Sequence, residues 1–193
     1  ALAAAKLGIE SYLVGVASTG VIGEIMNMEP VVKGVEMLNP NNDLESGMNF
    51  AQAILTTDTV MKNTTYATVI DGKEVLVSGT AKGSGMIEPN MATMLGFITT
   101  DANIESDELQ KALSEITNLT FNAITVDGDT STNDTVVVLA NGLAGNEPLT
   151  PAHPEWNNFY TALRLVAEDL AKAIARDGEG ATKLIEVEVA GAI

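Results

Sequence analysis

The sequence has no cysteine, a single histidine and a single tryptophan, and only 10 basic residues against 26 acidic ones in 193. Each shortage excludes a class of function. Without cysteine there is no disulfide framework, no thiol nucleophile and no thiolate-ligated zinc. A formal net charge of −16, with no cluster of Lys and Arg, argues against duplex nucleic acid or an anionic membrane surface as partner, since both need dense positive charge. No apolar run approaches the ~20 residues of a membrane-spanning helix. Residues 1–10 lack a basic start followed by an apolar stretch, so no signal peptide is expected. What is present is 46% hydrophobic, enough for a true core and the opposite of the composition of disorder. The expectation is a soluble, acidic, cytoplasmic protein.

Both ends are expected to continue into a longer chain. Residues 1–6 (Ala1-Leu2-Ala3-Ala4-Ala5-Lys6) read as the middle of a helix, and 183–189 read as a strand with almost nothing after it. Between them the pattern mixes helix and strand without repeats. An apolar, β-branched-leaning run over 12–18 predicts a strand. Pro30 suits a first helical turn, with Val31, Val35 and Leu38 following at helical spacing. Leu44, Met48, Ala51 and Leu55 mark a helix over 43–55. Strands over 66–70 and 74–78 flank Asp71-Gly72, a strong two-residue hairpin signal. The glycine-rich stretch 79–85 reads as open loop, and 93–100 as a buried strand.

Ser106 is the expected N-cap of a helix whose face is Leu109, Ala112, Leu113, Ile116 and Leu119. A strand is expected over 135–140, a long amphipathic helix over 155–175, and a half-wet strand from Ile185 to Val189. A hairpin demands antiparallel or mixed sheet, and the long helices need a sheet face to cover. The expectation is an α/β layered sandwich forming one domain over 1–193.

Several familiar motifs fail on spacing. In 79–84, Lys82 precedes Gly83, which is the wrong order for a phosphate loop, and Gly83-Ser84-Gly85 has Glu88 where a dinucleotide motif needs its third glycine. The run Asp127-Gly128-Asp129-Thr130-Ser131-Thr132-Asn133 starts like a calcium loop but has Thr132 at the glycine position and Val138 at the twelfth. No metal site is expected. His153, between Pro151 and Pro154, reads as a surface residue rather than a member of a Ser-His-Asp triad.

What remains is the stretch from Lys82 to Leu95, where glycines lead through Pro89 to Ala92-Thr93 and a strand. A threonine opening a strand is ordinary, and on spacing alone that reading stands beside a chemical one. In the chemical one, cutting the Ala92–Thr93 bond gives Thr93 a free α-amine with a pKa of roughly 7.7–8.0. That amine lies beside the hydroxyl and can act as its base.

The stretch from Lys82 to Leu95 resembles the self-cleavage segment of the ornithine acetyltransferase family, the bifunctional glutamate N-acetyltransferases of arginine biosynthesis. Three further stretches resemble the same family in the same order. They are Ala17-Ser18-Thr19-Gly20-Val21-Ile22-Gly23-Glu24, then Phe121-Asn122 with the acidic run from Asp127 to Thr135, and Arg176-Asp177-Gly178-Glu179-Gly180-Ala181-Thr182-Lys183. The resemblance implies an αββα sandwich of mixed and antiparallel sheets, and self-cleavage between Ala92 and Thr93 into parts 1–92 and 93–193. It implies Thr93 as nucleophile, Thr19 and Gly20 as oxyanion hole, and Thr56, Lys82, Thr93 and Glu179 as substrate contacts. The implied reaction moves an acetyl group from N-acetylornithine to glutamate by a ping-pong route through acetyl-Thr93. No metal or organic cofactor is implied, and acetyl-CoA stays open as a second acetyl donor. The implied partners are these small amino acids, the N- and C-terminal portions of the same protein, and an α/β hetero-oligomer. Two alternatives stay open: a related self-processing N-terminal-nucleophile aminopeptidase or amidase, and an inactive fragment of the same family.

Overall fold

The structure is a computed structural model that describes residues 1–41, 43–88 and 94–191. It divides into two compact units, 1–50 and 51–193. Ala92 and Thr93, the expected cleavage pair, lie outside the described residues, as do 89–91.

The first unit holds helix α1 (Leu2–Leu7), helix α2 (Met28–Met37) and most of helix α3 (Leu44–Ala53). Asn27 caps α2 by accepting the Glu29 amide at 3.1 Å, and Pro30 falls in the first turn, where its missing N–H costs nothing. Asp43 accepts the Ser46 amide at 2.7 Å ahead of α3. The strand expected over 12–18 is absent. Ser11–Leu13 is a short 3₁₀ turn and the following residues are irregular. A strand needs a ladder partner, and among the described residues this run has none, so Tyr12 and Val16 stand exposed.

The second unit is built on a four-stranded mixed sheet in the order β1 (Lys62–Ile70), β2 (Lys73–Lys82), β3 (Leu95–Thr100), β4 (Thr135–Ala140). β1–β2 and β2–β3 pair antiparallel, and β3–β4 parallel. Asp71 and Gly72 turn the β1–β2 hairpin with φ of +53° and +71°, the double left-handed conformation that matches strand twist. β2 runs on to Lys82 through part of the stretch expected to be open loop. Gly79 is needed there because α5 (Trp156–Arg176) crosses close above it. A Cβ would come within 2.8 Å of Leu170 and Val166. β3 begins at Leu95, two residues later than expected.

Helix α5 lies on β1 and β2, and α4 (Ser106–Leu119) lies against β4 and α5. Their buried faces close a core with the inward residues Ile70, Val75, Val77, Ala81 and Ile98. From α5 come Phe159, Leu163, Val166, Leu170 and Ile174, and from α4 come Leu109, Ala112 and Ile116. Leu119, expected on that face, is 66% exposed. Ser106 is the first helical residue of α4, with Glu105 at the cap position and no side-chain cap bond. The unit is thus α/β as expected, and the described residues supply one helical layer and one sheet.

The strand expected over 185–189 is not formed. Among the described residues this run pairs with neither edge strand, β1 nor β4, and Ile185, Val187 and Val189 are 80%, 82% and 75% exposed. His153 also departs from expectation. Its side chain is only 11% exposed, and it joins the loop before α5 to the β1–β2 turn. Nδ1 accepts the Glu155 amide at 3.1 Å, so the ring proton sits on Nε2, 3.3 Å from Asp71 Oδ1.

Candidate active site

The end of β2 is where charge is buried. Ala81 and Lys82 close a strand whose neighbours are β1 and β3, so Lys82 enters the protein interior at 0% exposure. Its ammonium reaches Thr56 Oγ1 at 3.3 Å, and among the described residues no carboxylate oxygen lies within 4.0 Å of it. Burial pushes the Lys82 ammonium's pKa down, while the fields of Asp58 and Asp134 pull the other way. A desolvated cation held by one hydroxyl is costly unless an anion arrives to pair with it.

Thr56 stands in the loop after α3, and that loop is fastened to the end of β2 by Asp58. Asp58 Oδ2 accepts the Thr56 amide at 3.2 Å, and Oδ1 accepts the Gly83 amide at 2.7 Å. Lys62, the first residue of β1, completes the fastening. Its ammonium lies 2.6 Å from Asp58 Oδ1 and 2.6 Å from Asp177 Oδ2, with its side chain fully buried. Asp177 also takes the amide and hydroxyl of Thr59. Burial pushes the Asp58 carboxyl up, but the amide of Gly83, Lys62 and the amide of Thr56 outweigh it and hold it below its ordinary value. Asp177 is likewise lowered, with Lys62 and Thr59 overcoming its burial.

Glu179 joins the same cluster through the loop that follows α5. Its amide donates to the Ser84 carbonyl at 2.9 Å, and Ser84 Oγ donates to the Asp177 carbonyl at 2.7 Å. The Glu179 carboxylate lies against Gly85 where a Cβ would collide with it, which explains the glycine. That carboxylate is exposed and makes no hydrogen bond or ion pair among the described residues. Thr56 and Lys82 are therefore in contact, and Glu179 is tied by its backbone to Ser84, two residues beyond Lys82. They offer a buried ammonium, a hydroxyl and a free carboxylate, the complement of a small molecule carrying both charges.

The acidic loop holds both flanks of 89–93. Asp127 accepts the amides of Met86 at 2.6 Å and Ile87 at 3.0 Å, and Asp134 Oδ1 accepts the amide of Met94 at 2.8 Å. Met86 has a φ of +59°, so the chain turns sharply as it enters this stretch. Burial raises the Asp134 carboxyl to about 6, against the Met94 amide and the field of Lys82.

Thr19 and Gly20 lie in the first unit on an irregular stretch. Gly20 is exposed, and a Cβ there would meet only Met26 Cε at 3.9 Å. Thr93 lies outside the described residues. Among the described residues Asp71, His153 and Glu155 bring possible ligand atoms within 4.8 Å of one another. A metal would find both imidazole nitrogens engaged, Nδ1 by the Glu155 amide and Nε2 by its proton towards Asp71.

Sequence reading passed over Asp58 and Lys62. One signal was available: strand alternation gives Lys62 the same parity as Tyr66 and Ile70, the covered face, where an unpaired lysine does not belong.

Fold and cluster define an α/β protein whose second unit holds a buried polar cluster at the end of a central strand. The sequence profile of the ArgJ family matches residues 1–193, and the chain belongs to that family. It is 64% identical over 192 residues to the arginine biosynthesis bifunctional protein ArgJ of Halalkalibacterium halodurans, covering 100% of this chain and 47% of that protein. Against the proteins of the same name from Geobacillus stearothermophilus and Bacillus subtilis the identity is 63%, over 99% and 98% of this chain and 47% and 46% of theirs. The chain thus spans about half the length of the curated relatives it matches. A crystal structure of the Bacillus halodurans ArgJ protein matches 45% of this chain and 41% of its own, at 75% identity and a TM-score of 0.45.

Proposed function

We propose that this chain is the self-processing part of an acetyltransferase of arginine biosynthesis, transferring acetyl from N-acetylornithine to glutamate. Membership of the ArgJ family over the whole of 1–193 carries the reading, together with relatives named as bifunctional proteins of arginine biosynthesis. The buried Lys82 ammonium on Thr56, with the Glu179 carboxylate on the loop tied to Ser84, supports it further, because both substrates are small and carry both charges.

In this reading Thr93 Oγ bonds to the Ala92 carbonyl carbon, the C–N bond breaks as the Thr93 nitrogen takes the hydroxyl proton, and water hydrolyses the resulting ester, giving parts 1–92 and 93–193 with the Thr93 hydroxyl restored. The new α-amine of Thr93 takes the proton of its own hydroxyl, and Oγ bonds to the acetyl carbon of N-acetylornithine. The amide C–N bond breaks, and the proton leaves with ornithine. The amine of glutamate then attacks the ester, and Thr93 Oγ recovers a proton. Thr19 and Gly20 donate to the oxyanion in both steps. Lys82 holds a substrate carboxylate, Thr56 steadies that ammonium, and Glu179 takes a substrate ammonium. No metal or organic cofactor enters the scheme, and acetyl-CoA is a candidate second donor. The remaining portions of the protein complete the pocket, one acyltransferase domain results, and the cut chains assemble into an α/β hetero-oligomer in the cytoplasm.

Intact-mass measurement of the full-length protein carrying this sequence tests the proposal. A new N-terminus at Thr93 is expected, and Thr93→Ala should leave one uncut chain. Cleavage at that bond in Thr93→Ala would assign the cut to an outside protease. Release of free acetate with no N-acetylglutamate would instead make the protein an amidase.

A further inference from the structure

An ammonium has three N–H donors, and the two lysines buried at the end of the sheet fill them differently. Those of Lys62 meet Asp58 Oδ1 at 2.6 Å, Asp177 Oδ2 at 2.6 Å and the Val60 carbonyl at 3.4 Å. Lys82 meets Thr56 Oγ1 at 3.3 Å and no other acceptor among the described residues. Yet an anion is at hand. Asp58 Oδ1 accepts the amide of Gly83, the residue after Lys82, at 2.7 Å, and Asp58 is the largest of the charges acting on Lys82. It pairs with Lys62 instead. A buried carboxylate stripped of its cation is costly until it finds another, and Lys82 is the other buried lysine of this unit. We propose that Lys62 is a positioning residue: by holding Asp58 it keeps that carboxylate off Lys82 and leaves the Lys82 ammonium open to the carboxylate of N-acetylornithine. The assignment deepens the acetyl-transfer reading above and rests on it.

Asp177 supplies an internal comparison. It lies as close to Lys62 as Asp58 does, so removing Lys62 strands both carboxylates alike. The charges that act on Lys82, however, are those of Asp58, Asp134 and Lys62. Asp134 Oδ1 is on the Met94 amide, away from Lys62. Of the two carboxylates released, only Asp58 is therefore placed to compete for Lys82. Once the two pair, that pair must open before a substrate carboxylate can enter. Binding then weakens while the bound complex reacts as before, which raises KM and spares kcat. A lysine that only fastened the fold would instead harm the site whichever carboxylate it left stranded.

The test is the effect of Lys62→Met on acetyl transfer by the full-length protein in two backgrounds. In Asp177→Asn, where Asp58 is the carboxylate released, Lys62→Met should raise KM for N-acetylornithine about tenfold, the scale of one charge-assisted contact. There kcat should change less than about twofold. In Asp58→Asn, where the competitor is gone, Lys62→Met should change KM less than about twofold. With the α-carboxamide of N-acetylornithine as donor, kcat/KM should respond to Lys62→Met alike in both backgrounds, because that substrate brings Lys82 no carboxylate. Each double variant strands one carboxylate rather than two, so the comparison does not need Lys62→Met to fold by itself. If only one double variant folds, the figures for its own background decide. A KM that rises equally in both backgrounds, or the same rise with the carboxamide in the Asp177→Asn background alone, overturns the assignment and leaves Lys62 a fastener of the fold. A wild type that moves no acetyl from N-acetylornithine removes the acetyl-transfer reading and this assignment with it.

Discussion

Replacing Lys62 by methionine tests what holds the site together. The side chain is fully buried between two carboxylates, each 2.6 Å away, and Asp58 and Asp177 have side-chain exposures of 0% and 8%. Methionine keeps most of the volume, so the cost is electrostatic: two buried anions lose their shared cation. Breaking a buried pair costs about 3–5 kcal/mol. Asp58 keeps the amides of Thr56 and Gly83, and Asp177 keeps Thr59. The expected loss is therefore near the lower end, about 3 kcal/mol.

The loss should depend on pH in a definite direction. With Lys62 present both carboxyls titrate below their ordinary values, so their contribution is complete above that range and disappears only as pH falls through the lowered values. Without Lys62 both pKa values rise, the anions become the destabilising species, and protonation relieves them. Chemical denaturation of the full-length protein should show the largest wild-type-to-variant gap near neutral pH and a smaller one near pH 4. Hydrogen exchange at the Gly83 amide should quicken. A pH-independent gap, or one under about 1 kcal/mol, would refute the view that Lys62 neutralises these two carboxylates. Asp177→Asn added to Lys62→Met should recover part of the loss.

Gly79→Ala places a Cβ 2.8 Å from Leu170 and Val166; overpacking of that kind should cost about 1–3 kcal/mol, read as a lowered denaturation midpoint. Lys82→Met should raise KM for a carboxylate-bearing substrate by more than tenfold, on the order of one lost charge-assisted hydrogen bond, while leaving stability equal or improved because an unpaired buried cation is removed. Gly20→Ala has open space for its Cβ, so the melting temperature should hold while turnover drops; normal kinetics would count against an oxyanion role.

The parts of the fold legible in sequence are those whose signal is local. Asp71-Gly72 between two alternating runs specifies the hairpin because few dipeptides accept two left-handed residues. The i, i+3, i+4 stripes of α4 and α5 specify buried faces whatever they pack against. Where the local signal needs a distant partner it misleads. Residues 12–18 and 185–189 have strand composition, yet composition supplies no ladder, and among the described residues neither run has one. Gly79 misleads for the same reason: its cause is a helix nearly ninety residues away in sequence.

The site repeats the lesson at finer grain through its two buried lysines. Lys62 and Lys82 both end a strand, both lie at 2% exposure or less, and both sit near Asp58. Residue type and alternation cannot tell them apart. Geometry can, because Lys62 meets two carboxylates and needs nothing more, whereas Lys82 meets one hydroxyl. A cation satisfied within the protein fastens it, and one held by a single hydroxyl at the same depth is, in the reading proposed above, where a substrate carboxylate binds. The family resemblance singled out Lys82 and passed over Lys62, as expected if a ligand constrains the first and only this fold's own charges constrain the second. Exchanging the two environments would exchange the roles. Asp58→Asn should leave Lys62 half-paired and the Thr56 loop loose, and in the reading proposed above raise KM for the substrate whose carboxylate Lys82 holds.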